Sequence, residues 1–146
     1  MDKNNINELN LVLKGEHMAI DSYETVIENI KDRNAKDELQ RIQQDHKLHV
    51  IEISERIQDL GGHPVDGVGL TGKVSEAFSN IKDIIRQDTV SQIRKIYEGE
   101  DRGIKATSEM VKNGLDNEST KLINSIIEDD KKHLGTLQGI INSLDS

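Results

Sequence analysis

The chain has 146 residues, 34% hydrophobic and 32% charged, with a formal net charge of -8. That is about one domain, long enough to bury a core and too acidic to offer the basic face that nucleic acid requires. It contains no cysteine, which excludes disulfides, thiolate zinc sites and iron–sulfur clusters.

No run approaches ~18 apolar residues, so no membrane span is predicted. The opening MDKNNINELN lacks the charged and apolar regions of a secretory signal, and a cytoplasmic protein is expected. One proline and three aromatic residues favour helix over sheet.

The spacing predicts a first helix over 5–31, with Asn5 as its cap and Glu8 the reciprocal acid. Its apolar stripe is Leu9, Leu13, Ile20, Tyr23, Ile27 and Ile30, in steps of three and four. After Asp32-Arg33, Asn34 is the predicted cap of a second helix over 34–60, on Leu39, Ile42, Ile53, Ile57 and Leu60, stopped by Gly61-Gly62. Residues 61–88 read as a crossover: a glycine-rich loop, then a short surface helix on Phe78, Ile81, Ile84 and Ile85. A third helix over 88–113 and a fourth over 117–144 follow.

The second pair of helices repeats the first at an offset of 84 residues. Gly15-Glu16 matches Gly99-Glu100, and Leu39, Ile42, Ile53, Ile57 and Leu60 match Ile123, Ile126, Leu137, Ile141 and Leu144. Asp45 and His49 match Asp129 and His133. The expected fold is therefore all-α: two repeated helical hairpins. Short turns make the helices of each pair antiparallel neighbours. The link of about 28 residues can return along a helix ~40 Å long, so the third helix starts parallel to the second.

Polar residues interrupt the stripes. Glu16 follows Leu13 and Glu100 follows Ile96. His46 and His49 lie between Ile42 and Ile53, and Asp130 and His133 lie between Ile126 and Leu137. Counted from the turns, all six lie at one level to within ~2–3 Å. One such residue in a stripe is usually a satisfied core or boundary group. Six in one layer need compensation, because an isolated buried carboxylate costs several kcal/mol or is neutralised. One or two divalent cations would supply it, since carboxylate and imidazole suit iron, manganese and zinc, and i, i+3 spacing sets two ligands on one face. A hydrogen-bonded polar layer without metal is the alternative.

These residues resemble the ferritin-like superfamily of di-metal carboxylate bundles, bacterioferritins and rubrerythrins among them, over nearly the whole chain. The resemblance implies an antiparallel four-helix bundle in which Glu16 and Glu100 are terminal ligands, His49 and His133 histidine ligands, and Asp130 a bridge. His46 stands where the family has a bridging Glu, and Asp130 is one methylene short of its Glu. The H-x-x-H form, within DHKLHVIEISERIQDLGGHP, is similar to a bacterial branch of small ferritin-like proteins. The implied cofactor is two divalent metal ions, iron first, with manganese or zinc as alternatives. The implied function is handling Fe(II), dioxygen or peroxide, as in a ferroxidase or peroxidase, by a homo-oligomer, dimer or larger. Without cysteine the chain is no complete rubrerythrin, and without methionine in the second helix it lacks bacterioferritin's haem ligand. The competing function is a structural or interaction bundle with a degenerate or purely structural metal site.

Other residues carry weaker signals. His17 lies ~100° off the stripe and His63 in a loop, so both read as boundary or surface. Asp45 and Asp129 are either acceptors for ligand imidazoles or solvated acids. Tyr23 and Tyr97 read as core packing, while the resemblance would cast one of them as a redox-active or hydrogen-bonding neighbour of the site. Gly15 and Gly99 suggest a close helix approach or access to the polar layer.

Overall fold

A computed structural model describes residues 2–67 and 88–145. These form four α-helices: α1 (Asp2–Asn29), α2 (Arg33–Asp59), α3 (Thr89–Val111) and α4 (Asn117–Asp145). The short helix expected around Phe78–Ile85 lies outside the described residues.

Local chemistry sets the helix ends. Asp32 begins α2 from an extended backbone, its carboxylate accepting a 2.9 Å bond from the Ala35 amide. Asp88 does the same for α3 through Ser91 N, and Asp116 Oδ1 accepts from Ser119 N at the start of α4. Each satisfies an amide that the first turn leaves without a partner. Gly61, at φ 85°, takes the left-handed conformation that ends α2. Gly62 packs so closely that an added Cβ would stand 2.8 Å from Ile6 Cγ2.

Two expected caps are corrected. Asn34 sits inside the first turn of α2, whose cap is Asp32. Asn5 lies within α1, is buried, and its Oδ1 accepts from Asp116 N at 3.0 Å. The cap rules weigh sequence neighbours, whereas the partner of Asn5 lies in the turn between α3 and α4.

Helix α1 packs chiefly on α2 and α3 chiefly on α4, with fewer contacts joining α1 to α3 and α2 to α4. The early part of α1 (Leu9, Leu13) shares a core cluster with the late parts of α2 (Ile53, Ile57) and α3 (Ile104) and the early part of α4 (Ile123, Ile126). The opposite half unites Tyr23, Val26, Leu39, Ile93, Leu137 and Ile141. Both hairpins are thus antiparallel, and α3 runs parallel to α2. The chain leaves α2 at one end of the bundle and enters α3 at the other. Between the two apolar halves lies a polar layer.

Candidate metal centre

Each helix brings its polar interruption to the same layer: Glu16 from α1, His46 and His49 from α2, Glu100 from α3, Asp130 and His133 from α4. The six are between 2% (His49) and 8% (Glu100, Asp130) exposed, so solvent compensates none of them. They make two overlapping groups: Glu16, His46, His49 and Asp130, and His46, Glu100, Asp130 and His133. Within each group one nitrogen or oxygen per residue lies within 4.8 Å of all the others. His46 and Asp130 belong to both.

The outer histidines are held alike. His49 Nε2 donates to Asp129 Oδ2 at 2.9 Å, and His133 Nε2 donates to Asp45 Oδ2 at 2.8 Å. The two bonds exchange places under the offset of 84, each reaching between α2 and α4. Of the two readings open for these aspartates, the geometry selects the acceptor. With Nε2 committed to an aspartate, Nδ1 of each ring is the nitrogen that points inward. His49 Nδ1 stands 3.3 Å from Glu16 Oε1 and 4.0 Å from Asp130 Oδ1. His133 Nδ1 stands 3.4 Å from both Glu100 Oε1 and Asp130 Oδ1. None of these approaches has hydrogen-bond geometry, and His49 Nδ1, His133 Nδ1 and Asp130 Oδ1 are buried with no partner among the described residues.

His46 is held differently. Its Nδ1 meets Glu16 Oε2 and its Nε2 meets Glu100 Oε1. Tyr23 donates to Glu100 Oε1 at 2.8 Å across the bundle, and its ring lies 5.4 Å from that of His46. Of the two readings of Tyr23, packing is therefore incomplete and the hydrogen-bonding neighbour implied by the resemblance is the one seen; its place two turns beyond Glu16 on one stripe was the signal. Tyr97 does pack against the core.

The charges are strongly coupled. Burial would raise Glu16 and Glu100, but contacts with His46 and His49 hold Glu16 below its ordinary value. Contacts with His133 and His46 likewise take Glu100 down to about 2. Burial would lower the histidines, yet the glutamates lift His46 well above its ordinary value. His49 rises to about 9 through Glu16 and Asp129, and His133 to about 10 through Asp130, Glu100 and Asp45. Asp130 is raised, by burial first and then by the charges of Glu100 and Glu16. Burial, then the charge of Glu100, pushes the Tyr23 phenol well above its usual range.

The donor set fits divalent metal. Three buried atoms that find no partner among the described residues face inward beside the glutamates, and a metal ion would take the place of the protons that the histidines otherwise hold. Imidazole nitrogen and carboxylate oxygen are ligands that iron, manganese and zinc accept. A cleft of about 290 Å³ between α2 and α4, lined by Glu38, Arg41, Asp45, Lys132 and Thr136, reaches His133.

The remaining candidates lie outside the layer. His17 is half-buried near Gly67, and His63 is exposed, its carbonyl accepting from Asn10 Nδ2. Gly15 and Gly99 are exposed, with nothing among the described residues within 4 Å of an added Cβ. The close helix approach expected at both is corrected, because they face away from the bundle. Sequence reasoning also passed over Gln43, which is buried and donates to Ile20 O and Glu24 Oε1.

The sequence profile of the family described as Domain of unknown function (DUF2383) matches residues 4–113. A search of the curated proteins found no match. Among solved structures, a Desulfovibrio desulfuricans bacterioferritin, described with a diiron site in different catalytic states, is 24% identical with a TM-score of 0.81, covering 99% of this chain and 81% of that one. A bacterioferritin-related protein from Bacteroides fragilis, described as a dodecameric thioferritin, is 20% identical with a TM-score of 0.78, covering 99% and 88%. A two-domain protein from Anabaena variabilis, with DJ-1/ThiJ/PfpI-like and ferritin-like domains, is 19% identical with a TM-score of 0.80. This chain spans 38% of that protein's length, and 99% of this chain is covered. The fold is a ferritin-like four-helix bundle.

Proposed function

The chain belongs to the family described as Domain of unknown function (DUF2383), and we propose that its polar layer holds two divalent metal ions, iron first and manganese or zinc as alternatives, that handle Fe(II), dioxygen or peroxide. The observation that carries this reading is that His49 Nδ1, His133 Nδ1 and Asp130 Oδ1, buried and without partners among the described residues, belong to two overlapping ligand groups, each with its own glutamate. Left empty of a cation, such atoms forfeit their hydrogen bonds to water, at about 1–3 kcal/mol each.

Glu16 with His49 would hold one ion and Glu100 with His133 the other, with Asp130 shared. Bound ions alternating between reduced and oxidised states would supply electrons to dioxygen or peroxide. The protein's own groups do the rest. Asp129 and Asp45 fix the tautomers of the two outer histidines, and Tyr23 holds Glu100 in place. The apolar halves enclose the layer on two sides, and the α2–α4 cleft touches it at His133.

Assembly into a homo-oligomer belongs to the same reading. It is supported by the exposed Leu11, Leu48 and Ile51 and by the dodecamer named for the Bacteroides fragilis protein. No described helix is long and apolar enough to cross a membrane, and a cytoplasmic setting is part of the proposal.

One observation favours the rival reading of a structural or interaction bundle. The His46 ring bonded to both glutamates already neutralises much of the layer. Purification under native conditions, metal analysis by mass spectrometry, and aerobic addition of Fe(II) with the ferric absorbance followed separate the two. Stoichiometric metal with Fe(II) oxidation is the expected result. Bound metal without turnover supports a structural site, and no metal at any loading removes the site.

A further inference from the structure

His46 differs from the other histidines of the layer in what its nitrogens face. His49 and His133 each commit Nε2 to an aspartate at the edge of the layer. His46 has no such partner: Nδ1 faces Glu16 and Nε2 faces Glu100, inside a ring only 3% exposed. Its centroid lies 5.6 Å from that of His49 and 5.0 Å from that of His133, nearly equidistant from two rings that are 6.4 Å apart. The two nitrogens thus look into opposite half-sites, one with Glu16 and His49, the other with Glu100 and His133. No other side chain of the layer presents two donor atoms in this way, on opposite edges of a rigid ring.

Resting on the reading that the layer holds two divalent ions, we propose that His46 bridges them, giving one ring nitrogen to each. As the two metal–nitrogen bonds form, both N–H protons leave to water and the ring stays between the ions as imidazolate. No electron is transferred. Each ion then has a glutamate, an outer histidine and one edge of His46, while Asp130 is shared. A five-membered ring between the ions holds them farther apart than the about 3.5–4 Å usual in two-metal sites. The histidine thereby fills the place of a bridging carboxylate with a longer spacer.

The test loads the whole protein with Cu(II) alone, counts copper per chain by mass spectrometry, counts spins by electron paramagnetic resonance, and reads metal–metal scattering by X-ray absorption. Two coppers per chain are expected, with a spin count below two that falls on cooling, and no metal–metal shell at about 3.5–4 Å. His46→Gln should weaken the spin coupling to what the shared Asp130 carries, and His46→Glu should gain the short shell, with circular dichroism verifying both folds. The wild-type measurement stands even if neither variant folds. Two uncoupled coppers, or a short shell in the wild type, would overturn the bridge and leave the two-metal reading intact. A single copper would overturn it as well, with His46 then a filling charge between Glu16 and Glu100. No copper at all would overturn the two-metal reading itself.

Discussion

Tyr23→Phe removes one oxygen from a ring that is 1% exposed and leaves the core shape almost unchanged, so its effect is that of one hydrogen bond. That bond runs 2.8 Å to Glu100 Oε1, a carboxylate ionised at all but strongly acid pH. Hydrogen bonds to charged groups contribute about 1.5–3 kcal/mol, and leaving such a carboxylate short of a donor adds a desolvation cost. His46 Nε2 contacts the same oxygen, so the lower part of that range applies, about 1.5–2 kcal/mol. For a domain of this size each kcal/mol moves the midpoint by roughly 2–4 °C, which gives a loss of about 3–8 °C. The assay is thermal and denaturant unfolding of the chelator-treated protein, carried around a double-mutant cycle with Glu100→Gln. If Tyr23 acts through Glu100, the double variant loses clearly less than the sum of the single ones. Additivity within about 0.3–0.5 kcal/mol would refute the reasoning and return Tyr23 to packing.

Asp129→Asn and Asp45→Asn each free an outer histidine to turn, and each should weaken metal binding by roughly 10- to 100-fold, measured by calorimetric titration. Equal losses are expected from the paired geometry, and no loss in either would remove the orienting role. Gly15→Ala and Gly99→Ala place a methyl in open space within a helix, and each should raise the unfolding free energy by roughly 0.5–1 kcal/mol. A fall in denaturation midpoint would show that these faces are covered. The metal-free protein should also lose stability in alkali. His49 and His133 titrate higher when folded, so their contribution is whole below 6.5 and fades as pH rises through about 9 and about 10. The sign reverses for Glu100, whose contribution fades as pH falls from 4.5 toward about 2. Denaturant midpoints across pH test both limbs, and a flat alkaline limb would contradict the histidine assignment.

The architecture was legible because it rests on long, repeated signals. Stripes such as Leu39, Ile42, Ile53 and Ile57 hold their period over several turns, and short turns leave two consecutive helices one way to pack. The level of Glu16, His46, His49, Glu100, Asp130 and His133 followed from counting residues at a fixed rise per residue. What failed was local and side-chain specific. Asn5 looked like a cap because its true partner, Asp116, is 111 residues away. Gly15 looked like a contact because a sequence does not say which side of a helix carries a neighbour. The role of Tyr23 depended on whether its hydroxyl reached α3, and periodicity gives the face but not the reach. The aspartates beside His46 and Asp130 were ambiguous for the same reason. Their partners lie on the other hairpin, at a distance set only when the two hairpins meet.

The polar layer between the two apolar halves also acts as a locating pin. Each hairpin is built mainly on its own internal contacts, and the two meet along faces of interchangeable Ile and Leu. Such faces resist slipping weakly: a displacement of one turn, about 5.4 Å, sets isoleucine against leucine and loses little. The same slip would carry Glu16 and His46 away from Glu100 and His133 and press them against aliphatic side chains. Breaking a buried ion pair in that way costs about 3–5 kcal/mol, a large share of the stability of any domain. With or without an ion between them, these charges let the two hairpins dock at one height only.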